Sequence, residues 1–167
     1  MTLSYDPDRY RSSQFDDDMC LKPPLLLWLA VIYLARAVVL PIGIGIGHFA
    51  GVDDKAFGSL RSLWSVEAFV PAVVTLPVLY ALFRRAPGAS RATRWCWRHG
   101  RILLALSAGL DVALSVFQLA TAQPGDPPFT ALGAALVDLY FLAYILIARR
   151  VRDSFSDFPP PRDAAPE

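Results

Sequence analysis

The chain has 167 residues and a formal net charge of +1, yet 54% of it is hydrophobic and 19% charged, with a mean hydropathy of +0.39. A soluble domain of this length carries about a quarter charged residues, whereas the apolar residues here gather into four long blocks divided by short polar stretches that hold nearly every Lys and Arg. This excludes an ordinary soluble domain and predicts an all-α integral membrane protein, a four-transmembrane-helix bundle.

Residues 1–24 are more acidic than basic, so they lack the basic start of a secretory signal and are expected to form a cytoplasmic N-terminal segment. The four-helix transmembrane domain is expected over 25–148, with spans at about 25–46, 66–83, 102–122 and 129–148. Each is close to the ~20 residues that cross a hydrocarbon core. Helices are favoured over a barrel because the blocks are nearly continuous, where barrel strands alternate. Pro23 and Pro24 suit a first helical turn, in which the missing N–H has no partner anyway. Pro41 is expected to kink or end span one, and Pro71 and Pro77 to do the same to span two. Pro124, Pro127 and Pro128 predict a tight connection between spans three and four. The segment 149–167, closing on Pro159-Pro160-Pro161, is expected to be a disordered cytoplasmic tail.

Positive charge sets the orientation. Arg84, Arg85, Arg91, Arg94, Arg98 and Arg101 crowd the middle loop, and Arg149, Arg150, Arg152 and Arg162 follow span four. Only Lys55 and Arg61 occupy the first loop, and the last loop has no Lys or Arg. The positive-inside rule therefore puts both termini and the middle loop in the cytoplasm. Arg91, Arg94, Arg98 and Arg101 recur at helical spacing with Trp95 and Trp97 among them. This reads as a lipid interface, with Trp at headgroup level and Arg against anionic lipid, in preference to a nucleic-acid site.

Three ionisable residues fall inside the spans: Arg36, Asp111 and Asp138. If the helices are straight, all three lie about 14 to 17 Å from the cytoplasmic ends at ~1.5 Å per residue. An unpaired charge there costs at least ~2.5 to 3.5 kcal/mol, so Arg36 is expected to donate to one or both carboxylates. Ser107, Asp111, Ser115 and Gln118 form a polar stripe along span three, which serves either as interhelical glue or as a hydrated path. Gly43, Gly47 and Gly51 recur every fourth residue, a pattern that lets helix backbones approach closely. His48 and Glu67 are expected near the outer surface. Cys20 and Cys96 lack the spacing of a redox pair, and no Cys/His cluster has zinc-ligand spacing, so neither a metal nor a cofactor is expected.

The stretch from Phe15 to Trp28, containing Leu21-Lys22-Pro23-Pro24, followed by Tyr33-Leu34-Ala35-Arg36, resembles the opening of the YfeZ-like family of small bacterial inner-membrane proteins. The resemblance covers about 25 residues. It implies a bacterial inner-membrane location, four spans and importance for Lys22, Pro23, Pro24 and Arg36, and it supplies no catalytic residue. The expected function is that of a non-enzymatic accessory or assembly component with an internal Arg/Asp charge clamp, packing in the bilayer against another copy or a larger membrane protein. The alternative is a small oligomeric carrier or ion/proton conductor using Arg36, Asp111 and Asp138. A thiol oxidase ranks below both, since its two cysteines have no partner.

Overall fold

A computed structural model describes residues 10–16, 20–51, 69–121 and 129–159. Within them the chain is all-helical: α1 (Leu25–Leu34), α2 (Arg36–Phe49), α3 (Phe69–Phe83), α4 (Arg91–Arg98), α5 (Gly100–Thr121), α6 (Phe129–Ile147) and α7 (Arg149–Ser156), after one 3-10 turn at Ser12–Gln14. The 22-residue α5 is long and apolar enough to cross a membrane unaided. Two further crossings are available if each bent pair of helices is taken as one span, α1 with α2 and α6 with α7, while α3 is a shorter apolar helix of 15 residues. The expected positions of Lys55, Arg61, Glu67 and the Pro124 to Pro128 connection lie outside the described residues.

The first span, expected to kink or end at Pro41, is two helices meeting at 87°. The break falls at Ala35, ahead of Pro41, which sits inside a continuous α2. Pro24 starts α1 in extended backbone, and Ala35 (φ −86°, ψ 7°) ends it. A helix end leaves carbonyls without partners, and here Arg36 Nη1 donates to the Tyr33 carbonyl at 3.3 Å. The guanidinium therefore caps the very helix that its backbone leaves. Pro77 likewise lies within an unbroken α3, and Pro71 falls in its first turn.

Helices α5 and α6 make the most extensive interhelical contact and run antiparallel. Their register follows from Arg101 at the start of α5, which donates to the Ile145 and Leu146 carbonyls at the end of α6 at 3.1 and 2.6 Å. On the other side of α5 lies α3, with α1 beside it through Trp28 on Phe83. Leu27, Val31, Leu34, Val78, Leu82, Leu104, Ala108 and Ile145 fill the core between these helices. Outward, the helices present Leu29, Ile32, Val70, Val73, Ile102, Leu106, Val116, Phe117, Leu136 and Leu139, all exposed. On α5 the arrangement is inverted relative to a soluble helix: Ser107, Asp111 and Ser115 are buried while Ile102, Leu106 and Phe117 face out. Apolar surface on this scale is not left to water by monomeric soluble proteins.

The end of the chain departs from the expected disorder, because 149–156 form α7, which packs back at 62° to α6. Val151 and Phe155 are buried in the same core, and Trp97 lies beneath Phe155 with ring centroids 4.8 Å apart. Indole Nε1 of Trp97 donates to the Ser154 and Asp157 carbonyls, each at 3.0 Å. The N-terminal segment closes over this layer: Leu21 N–H donates to Asp157 Oδ2 at 2.8 Å, Tyr10 Oη to Asp153 Oδ2 at 2.8 Å, and Arg85 Nη1 to the Leu21 carbonyl at 2.8 Å. The two terminal segments are thus stitched together around Trp97 and Arg85.

Candidate functional site

The three ionisable residues come from three helices. Arg36 arrives at the first position of α2, on the inner side of the bend. Asp111 comes from the polar face of α5, and Asp138 from the face of α6 that packs on it. Arg36 and Asp111 form a bidentate pair, Nη1 to Oδ2 at 2.5 Å and Nη2 to Oδ1 at 3.0 Å. Planar guanidinium matched to carboxylate in this way is the strong form of the ion pair. The pair is enclosed, with side-chain exposures of 15% and 4%. The Arg36 guanidinium also lies over the Tyr33 ring, 4.5 Å from its centroid, and Tyr33 in turn packs on Phe141 of α6.

Asp138 has a different environment. It is fully buried, and among the described residues neither carboxyl oxygen has a hydrogen-bond partner. Its electrostatic neighbours are Asp111, Arg36 and Tyr33. Of the two expected acceptors, Arg36 therefore takes Asp111 alone, because one guanidinium edge already holds both Asp111 oxygens and the other donor bond goes to Tyr33.

Ser107 and Ser115 are buried and Gln118 half-buried, so the polar stripe does turn inward. Ser107 Oγ donates to the Pro71 carbonyl at 2.7 Å, and Thr75 Oγ1 donates to Ser107 Oγ, also at 2.7 Å, tying α5 to α3. Gly43 and Gly51, from the expected close-packing face, have no other group where a Cβ would stand, and Gly51 has φ 78°. Gly47 belongs to the same helix. This face of α2 is not covered by another helix of the chain among the described residues. Exposed His48 lies near the end of the same helix.

The middle-loop residues divide. Arg91, Trp95 and Arg98 are exposed on one face of α4. Trp97 is buried in the core, Arg101 binds the α6 carbonyls, and Arg94 donates to the Pro87 carbonyl at 2.8 Å while lying over Phe158. Only the first three are placed to meet an outer phase. Sequence reading missed Tyr33, Thr75 and Arg85. Thr75 offered one signal, its place one turn after Pro71; Arg85 was indistinguishable from the other arginines of its loop. Among the described residues no three His, Cys, Asp or Glu side chains gather as metal ligands, and Cys20 and Cys96 form no disulfide. Compared with family models, curated proteins and solved structures, the chain matches none.

Proposed function

We propose that this chain is a non-enzymatic integral protein of a bacterial inner membrane, with four spans and both termini cytoplasmic, acting as an accessory or assembly component. The observation that carries this reading is the enclosed bidentate Arg36–Asp111 pair, which fastens the broken first helix to α5 and needs no ligand to explain it. The uncovered Gly43 and Gly51 face and the exposed Ile42, Ile46 and Phe49 around it suit a second copy or a larger membrane-protein partner. Arg91, Trp95 and Arg98 suit anionic headgroups. Kinship with the YfeZ-like proteins rests on Leu21-Lys22-Pro23-Pro24 and Leu34-Ala35-Arg36, residues that here anchor the N-terminal segment and form the bend. Purification of the full chain in mild detergent tests the reading: a stable partner protein is the expected result. A monodisperse homo-oligomer carrying a bound solute contradicts it.

A second reading, a small proton or ion conductor, is favoured by one observation, the buried carboxyl of Asp138, which has no hydrogen-bond partner among the described residues. Buried ionisable groups within spans mark proton and ion pathways in many membrane proteins.

A further inference from the structure

We propose that Asp138 and Asp111 form a proton-binding site in which one exchangeable proton resides on Asp138 and is donated in a hydrogen bond to Asp111. The proposal rests on the clamp reading, since it takes the Arg36–Asp111 pair as fixed, and it assigns the clamp a ligand.

The first support is a count of charge. Arg36 and Asp111 cancel within their bidentate pair. Asp138 adds a second carboxyl among the electrostatic neighbours of that pair, fully buried, and both its oxygens lack a donor among the described residues. A buried carboxylate without a partner is among the most costly groups a fold can hold. One positive charge relieves it.

The chemistry of the surroundings selects which charge. A metal cation draws on several oxygen ligands, and here the carboxyls are two, Asp111 being engaged through both oxygens by Arg36. A proton needs one oxygen and one acceptor. On Asp138 it converts an acceptor-only carboxylate into a group with an O–H donor, and the Asp111 carboxylate beside it keeps lone pairs free. Two carboxyls competing for one arginine cannot both remain ionised at low cost. The proton comes from solvent and adds to a carboxyl oxygen, taking the trio from a net charge of about −1 to neutral without breaking the Arg36–Asp111 bonds.

Among the described residues the charged or titratable groups facing the site from the packed elements are few. Asp111 comes from α5, Arg36 from α2 and Tyr33 from α1. The residues of α3 carry no charge, and its nearby contribution is the Thr75–Ser107 hydroxyl pair. Loss of the proton would set Arg36 between two carboxylates. Because Arg36 is the first residue beyond the 87° bend, redistribution of its donors acts directly on that bend.

The test is infrared difference spectroscopy of the full chain in lipid vesicles during a pH titration, run in sodium and in choline buffers. A protonated carboxylic-acid band should appear in the wild type, be absent in Asp138→Asn, and be the same in both buffers. It should also vanish in Asp111→Asn, where the released Arg36 moves onto Asp138 and holds it ionised. A wild type without a band that Asp138→Asn removes overturns the proposal, as does a band erased by sodium, which indicates a metal-cation site. A band that persists in folded Asp111→Asn also overturns it, because the proton then belongs to Asp138 alone. If Asp111→Asn does not fold, the wild type and Asp138→Asn decide by themselves. The clamp reading fails separately, when Arg36→Leu leaves membrane abundance unchanged.

Discussion

Arg36 performs three tasks with one side chain: it pairs with Asp111, caps the Tyr33 carbonyl and stacks on the Tyr33 ring. Removing one member of a buried ion pair typically costs about 3 to 5 kcal/mol, because the other is left uncompensated. Arg36→Leu should therefore lower membrane abundance sharply, and adding Asp111→Asn with Asp138→Asn should restore most of it, as read by quantitative immunoblot of membranes. A triple variant no more abundant than the single one shows that the three groups do not act together. By contrast, Ser107→Ala loses one interhelical hydroxyl bond, worth about 0.6 kcal/mol on average, and should unfold in detergent only slightly earlier than the wild type. That Arg36 would pair with a carboxyl from another apolar block was legible from the cost of leaving it unpaired there. Which carboxyl Arg36 would choose was not, because the choice depends on the direction of the guanidinium after a bend that no residue at Ala35 announces.

At the scale of elements, proline gave a misleading account of the first apolar block. Pro41 loses a hydrogen bond but remains inside α2, while the turn occurs at Ala35, where side-chain bonding from Arg36 replaces backbone bonding. Pro41→Ala should consequently leave the 87° bend in place, and distances between spin labels at the start of α1 and the end of α2 should match those of the wild type. A longer distance would return the bend to Pro41. Packing of α7 depends on a glycine: a Cβ at Gly100 would stand 2.5 Å from the Phe155 ring. Overpacking of this kind costs about 1 to 3 kcal/mol, so Gly100→Ala should loosen α7 and speed its proteolysis relative to wild type. An unchanged cleavage rate contradicts the tight seat assigned to Phe155. The helix at 149–156 was hidden in a segment rich in charge, where Val151 and Phe155 are too few to signal burial until Trp97 is placed under them.

For the whole molecule, apolar blocks and inverted α5 were legible because hydrocarbon selects for composition over long windows. The joined termini were not, since Leu21, Arg85, Trp97 and Asp157 are distant in sequence and carry no shared pattern. The proposed topology places reporters fused after Pro87 and after Arg162 in the cytoplasm and one near Gly125 in the periplasm; a periplasmic C-terminus contradicts four spans. The proposed role of the Arg36–Asp111 pair is that of an internal clamp, beside which Asp138 stays neutral by holding a proton. Buried ion pairs can be replaced by neutral groups of similar volume without loss of stability. The decisive measurement is the phenotype of a strain carrying Arg36→Met, Asp111→Asn and Asp138→Asn together, normalised to the amount of protein in the membrane. Normal abundance with the biological role retained is expected of a clamp; normal abundance with the role abolished would overturn the clamp and give the site to conduction.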